Sequence, residues 1–164
     1  MEENIIENQY LQIKINKKGS INIWDKVNKC EYKDLNIITD GADAGDEYNY
    51  SFPENDIIIT SENIKAEIEV VEKSFLKAVV KISLILQLPE SLTDDRKNRS
   101  KKLRDFPIIN WISLEAESPI INFRTVVKNT VKDHRLRVLF PTGIDTKYSF
   151  AGTQFDVTNS SKHN

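Results

Sequence analysis

Cysteine, histidine and long apolar runs are scarce in this chain, and each shortage closes off a class of protein. A single cysteine, Cys30, has no internal partner, so a disulfide-stapled secreted scaffold is excluded and a reducing, cytoplasmic setting is the expectation. Only two histidines occur, His134 and His163, and His163 lies in a polar C-terminal stretch. A zinc site built within the chain would lack the usual imidazole and thiolate ligands. No apolar run approaches the roughly 20 residues that cross a bilayer as a helix. The start, Met1-Glu2-Glu3-Asn4-Ile5-Ile6, has neither the basic opening nor the apolar stretch of a secretory leader. Charge of one sign is also missing: 23 basic residues face 25 acidic ones, for a formal net charge of -2. A nucleic-acid partner needs a basic field to displace counterions, so none is expected.

What is present is period-two alternation, over a length of 164 residues that suits one domain with one core. Leu11, Ile13 and Ile15 alternate with Gln12, Lys14 and Asn16, and Ile21 and Ile23 resume the pattern after Lys17-Lys18-Gly19-Ser20. That spacing predicts a hairpin, with Gly19 at its turn. A weaker strand is expected from Tyr32 to Thr39, followed by a polar loop from Asp40 to Pro53, and then a short strand at Ile57 to Thr60. Ala66, Ile68 and Val70 share one face of the next strand. Ala78, Val80, Ile82, Leu84, Leu86 and Leu88 share a longer one. Val79 and Ile85 interrupt the polar face of that longer strand, which places it toward the middle of a sheet. Residues 89–104 carry charge and no periodicity, and read as a solvated loop. Alternation returns from Ile108 to Ala116, from Ile121 to Val127 and from Leu136 to Phe140, with a final strand at Phe155 and Val157. Roughly ten strands joined by turns predict an all-β antiparallel sandwich over residues 1–158, with a disordered tail at 159–164.

The search for chemistry is mostly one of elimination. Asp133 and His134 are adjacent, so on a strand they would point to opposite faces; a histidine bonded to backbone at a strand start is the expectation there. Asp40, Asp43, Asp46 and Glu47 could suit calcium by type, but their spacing does not match the EF-hand loop, and turn-forming Asp and Gly account for it. Carboxylates are plentiful enough to include a glycosidase pair, yet nothing marks two of them out. The remaining feature is the loop where Tyr48, Tyr50 and Phe52 sit among Asp46, Glu47 and Asn49. Aromatic faces and planar polar groups are what a sugar needs, although the same aromatics could equally alternate into a core.

That loop, Asp43-Ala44-Gly45-Asp46-Glu47-Tyr48-Asn49-Tyr50-Ser51-Phe52-Pro53, resembles the Asp-x-Gly-Asp-x-Tyr-x-Tyr-Ser-x-Pro segment of bacterial α-mannosidases of glycoside hydrolase family 38. Three more segments resemble that family in the same order: the hairpin Asn16 to Lys26, the strand region Asn129 to Gly143, and Gln154-Phe155-Asp156-Val157. The likeness runs from about Ile6 to Val157. It implies a portion of a longer enzyme in which a β/α domain and a helical bundle precede β-sandwich domains. It further implies that zinc and the aspartate nucleophile belong to those earlier domains, and that this chain alone is inactive.

The partners implied are those catalytic and helical domains and a mannoside substrate. Substrate contact is implied for Tyr48, with Tyr50 as the lesser alternative; Asp46 would either reach a sugar hydroxyl or orient the loop. Asp133, His134, Arg135 and Arg137 match the family's motif and are expected to do structural work, through a buried arginine–carboxylate contact at a strand start. A stand-alone carbohydrate-binding module is the competing reading, and a purely packing domain is a third. A sandwich separated from neighbouring strands is also expected to show open or self-associating sheet edges.

Overall fold

The structure is a computed structural model that describes residues 4–161. Its strands are antiparallel throughout, and the only helical element among the described residues is one 3-10 turn, Ser61–Asn63. The first sheet holds β1 (Asn4–Glu7), β2 (Leu11–Ile15), β3 (Ile21–Asp25) and β4 (Cys30–Leu35) in sequential order. The second is built from β7 (Glu67–Lys73), β8 (Lys77–Pro89), β9 (Leu103–Glu115) and β10 (Ile121–Val127), again as a meander. A third, smaller sheet joins β5 (Ile37–Ala42) to β6 (Ile59–Thr60) on one side and β11 (His134–Leu139) on the other. The strands β12 (Tyr148–Thr153) and β13 (Asp156–Ser161) form a separate hairpin. Thirteen strands among the described residues replace the roughly ten expected: β1 and β12 stand where none is expected, and the strand expected from Tyr32 to Thr39 divides into β4 and β5. The tail expected over 159–164 overlaps β13 as far as Ser161, and its last three residues lie outside the described ones.

Alternation dictates the core. Leu11, Ile13 and Ile15 turn inward from β2; Val80, Ile82, Leu84, Leu86 and Leu88 do so from β8, and Phe106, Ile108, Ile112 and Leu114 from β9. These residues belong to one continuous apolar cluster between the two large sheets. Burying each such side chain contributes about 1.5–3 kcal/mol, so the long β8–β9 pair anchors the domain. As expected, β8 lies inside its sheet, but Ile85 on its outer face remains exposed. Gly19 sits at the β2–β3 turn with φ +82°, and a Cβ there would meet Ile82 Cγ2 at 2.8 Å. The turn therefore needs glycine twice over, for its backbone and for its approach to the opposite sheet.

Two expectations need correction. The single strand read from Tyr32 to Thr39 is two strands in different sheets. The chain breaks at Asp34 and Asn36, which have φ of 53° and 64°. Asn36 is buried at the crossing: its Nδ2 donates to the Gly19 carbonyl at 3.0 Å, and its Oδ1 accepts from Asn110 Nδ2 at 2.5 Å. Satisfied in this way, two buried amides can sit between apolar layers without the cost of an orphaned polar group. β5 then continues to Ala42 with all six residues buried, so Asp40 belongs to a strand and not to the polar loop.

The second correction concerns residues 89–104, which are not simply a solvated loop. Leu92 and Arg99 pair across a β-bridge, and both are buried. The segment folds back over the third sheet, with its tip, 94–98, and its last residues, 101–104, exposed.

Candidate functional site

The loop from Asp43 to Pro53 leaves the buried strand β5 and returns toward β6. Two aspartates shape it by local hydrogen bonding. Asp43 Oδ1 accepts from the backbone N–H of Gly45 at 2.9 Å and of Ser51 at 3.1 Å, which draws the two limbs together. The N–H of Ala44 donates to the Ser51 carbonyl at 2.6 Å across the same neck. Asp46 Oδ1 accepts from the N–H of Tyr48 and Asn49 at 2.9 and 2.8 Å, an Asx turn that forms the tip. Gly45 is required by space, since a Cβ there would lie 1.7 Å from the Asn49 carbonyl oxygen.

The aromatics on this loop do not enter the core. Tyr48 is 85% exposed, Phe52 74% and Tyr50 46%, which removes the core reading of the aromatic run. Tyr50 is committed to a neighbour: the Arg135 guanidinium lies 4.2 Å from its ring centroid, a cation–π contact. Tyr48, at the tip, is held by its backbone and presents its side chain to solvent. Of the two residues expected to meet substrate, Asp46 therefore already has a role in orienting the loop, and Tyr48 has the accessible phenol.

The tip hydrogen bonds hold the Asp46 carboxyl below its ordinary value, first through the Tyr48 N–H and then the Asn49 N–H. A depressed folded-state pKa means the charged form favours the folded loop. That contribution is present above the unfolded aspartate value of about 3.9 and is lost as pH falls through the lower folded value. An NMR titration of the chain is expected to place the Asp46 side-chain midpoint below that of an exposed aspartate. The Tyr48 and Asn49 amide shifts should move with the same midpoint; a midpoint at or above the ordinary value would contradict the turn.

Beneath the loop lies a network that sequence reasoning missed. Asp40, fully buried on β5, pairs with Arg99, and its other oxygen, Oδ2, lies 2.6 Å from His134 Nδ1. The side chain of Arg99 is 3% exposed and that of His134 9%. Arg99 Nη1 also donates to the carbonyls of Ile57 at 3.1 Å and Asp40 at 3.4 Å. His134 is thus bonded to a carboxylate, not to backbone as expected, and its ring meets the edge of Phe106 at 5.5 Å. A buried arginine–carboxylate contact does exist at this strand start, but its arginine is Arg99, while Arg135 and Arg137 are exposed. Asp133, in a left-handed conformation with φ 52°, pairs with Arg96 at 3.5 Å and accepts from the Leu92 N–H at 3.2 Å.

Only the segment that resembled the family, through His134, hinted at this cluster. Arg99 stands in an aperiodic charged stretch that offers no burial signal.

The residues here do not fit a zinc centre. Asp40 and His134 approach one another, but the Arg99 cation already occupies the carboxylate, and a second cation beside it would be repelled. Asp43 and Asp46 each commit one oxygen, Oδ1, to backbone N–H groups. No group of three or more metal-binding side chains converges among the described residues. None of the described helical segments is long and apolar enough to cross a membrane.

Together these features define an antiparallel β-sandwich domain with a braced, aromatic-bearing loop at one end. Residues 6–164 match the Glycosyl hydrolases family 38 C-terminal domain. The chain belongs to that family, in its C-terminal region. It superimposes on an α-mannosidase from Enterococcus faecalis with a TM-score of 0.92 and 33% identity, covering 99% of this chain and 20% of that one. A glycosyl hydrolase family 38 protein from Enterococcus faecalis matches at a TM-score of 0.91 and 33% identity, over 98% of this chain and 21% of that one. A putative mannosylglycerate hydrolase from Halalkalibacterium halodurans is 32% identical over 84% of this chain and 17% of that protein. The chain spans about a fifth of the length of these relatives.

Proposed function

We propose that this chain serves as the non-catalytic β-sandwich portion of a zinc-dependent, retaining α-mannosidase, where it supplies a wall of the substrate pocket and an interdomain surface. The observation that carries this reading is the loop tip: Tyr48 is exposed while its backbone is fixed by Asp46. A phenol held out in that way can donate to or accept from a sugar hydroxyl, and its ring can cover a C–H face. Asp46 acts as the loop's internal staple, and Tyr48 makes the contact. Zinc, the aspartate nucleophile and the acid/base group come from the preceding β/α and helical domains, which are the partners of this chain. Resemblance to mannosidases and to a mannosylglycerate hydrolase supports an α-mannoside as the substrate class. A cytoplasmic setting accords with the unpaired cysteine.

The test uses the 164-residue chain itself. With zinc supplied, the purified chain is expected to leave an aryl α-mannoside unhydrolysed, and calorimetric titration with mannose or mannobiose is expected to give no saturable binding. Zinc-dependent turnover would overturn the reading outright. Saturable binding in the micromolar range would replace it with a carbohydrate-binding module that is complete by itself.

A further inference from the structure

The loop's shape is set from below as well as within, and the charged segment after β8 is the part that sets it. Arg99 reaches a residue on each side of the loop: Asp40 of β5 before it, through carboxylate and carbonyl, and Ile57 just ahead of β6 after it, through the carbonyl. Asp56 closes the same neck, its carboxylate accepting from the Ala42 N–H at 3.0 and 3.1 Å. His134 opens β11 opposite Ala42 and holds the second Asp40 oxygen, while the Asp43 N–H donates to the Asp133 carbonyl at 3.0 Å. Further out, Arg96 Nη2 donates to the Gly45 carbonyl at 3.2 Å, Lys97 pairs with Glu54 at 3.1 Å, and the Asn55 N–H donates to the Lys97 carbonyl at 3.0 Å. Residues 93–99 therefore lie across both limbs of the loop, tied to them at Asp40, Gly45, Glu54, Asn55 and Ile57.

These contacts are unequal. The outer ones are exposed pairs, worth little and screened by salt. The inner one is an ion pair shielded from water, with three planar groups in fixed mutual orientation. A guanidinium that binds a carboxylate and two carbonyls at once has a geometry that lysine cannot reproduce. A core could be filled more cheaply by apolar residues; what a buried polar network adds is a single allowed arrangement.

We propose that Arg99, Asp40 and His134 are positioning residues: their buried network fixes the neck of the Asp43–Pro53 loop and so sets where Tyr48 stands. The proposal rests on the reading of Tyr48 as the substrate contact, but the loop's dependence on the network can be tested without it.

Amide hydrogen exchange on the chain supplies the first readout. Arg99→Lys and His134→Ala are expected to speed exchange at Asp43, Ala44, Gly45 and Ser51 by about tenfold, the factor that accompanies loss of roughly one net hydrogen bond. Amides of Val80, Ile82 and Ile112 in the core, which open only with the whole domain, should speed by no more than the global stability each variant loses in equilibrium unfolding. His134→Asn, whose side-chain N–H can stand where Nδ1 stands, should restore the loop's protection.

Loop exchange within about twofold of wild type in both variants would overturn the proposal, since that is less than one hydrogen bond's effect. So would loop amides whose opening free energy equals that of the core amides in wild type and variants alike, because the neck would then open only with the whole domain and the network would serve stability alone.

The second readout is the mannosidase that carries this chain. Arg99→Lys should lower kcat/KM, and adding Tyr48→Phe to it should cost less than Tyr48→Phe costs alone. Faster loop exchange with wild-type kcat/KM in Tyr48→Phe would sink the substrate-contact reading and leave the positioning role standing. Unchanged loop exchange with an impaired Tyr48→Phe would do the reverse.

Discussion

Asp40→Ala is expected to lower the free energy of unfolding by about 3–5 kcal/mol, the range for removing one partner of a buried ion pair. Asp40 has no exposure, and it is the only anion shown in contact with both Arg99 and His134. Removing it strands a guanidinium that is 3% exposed, with nothing left to balance it but two carbonyls. Water cannot easily make up the loss, because Phe106 and the fully buried β5 enclose the site. For a chain of this size the change corresponds to a fall in Tm of about 6–20 °C.

Equilibrium unfolding in urea, read at constant slope, measures the effect directly. The exposed pair between Lys33 and Glu31 supplies the contrast: Glu31→Ala should change stability by less than about 1 kcal/mol. A loss below that same figure for Asp40→Ala would mean that Arg99 finds water or another partner, and the network would lose its standing as the loop's foundation.

Much of the fold was legible because alternation is a direct record of which face is buried. β2, β8, β10 and the hairpin at Gly19 were read from period-two spacing, and burial follows that spacing residue by residue in β2 and along the inner half of β8. What escaped was determined by tertiary contact. The break between β4 and β5 depends on Asn36 finding Gly19 and Asn110, residues distant in sequence. Asp40 looked like the first residue of a polar loop because a buried carboxylate is intelligible only beside its cation, and that cation is Arg99, 59 residues away. Arg99 in turn was hidden among charges that are mostly solvated, so composition averaged it with its neighbours.

The loop itself was legible in a different way. Gly45, Asp46 and Tyr48 stood out through likeness to a family. Their local reasons then emerged in the structure: a Cβ excluded at Gly45, an Asx turn at Asp46, and a phenol left exposed at Tyr48.

Tyr48→Phe, in the full-length enzyme proposed to carry this chain, removes one hydroxyl and little else, because the Tyr48 backbone is held by Asp46 whatever its side chain. If that hydroxyl bonds a sugar oxygen, its loss costs about 1–3 kcal/mol of transition-state binding, larger than an average hydrogen bond where the contact tightens as the ring distorts. The rate consequence is a fall in kcat/KM of about tenfold to a hundredfold. Tyr50→Phe is the matched control. Its ring lies against Arg135, an interaction of the π face that the substitution preserves, so kcat/KM should stay within about twofold. The decisive measurement is kcat/KM for an α-mannoside in these two variants side by side. A loss of about tenfold or more at Tyr48 with none at Tyr50 is the predicted result. Wild-type kcat/KM in Tyr48→Phe would contradict the account and leave the loop a packing element.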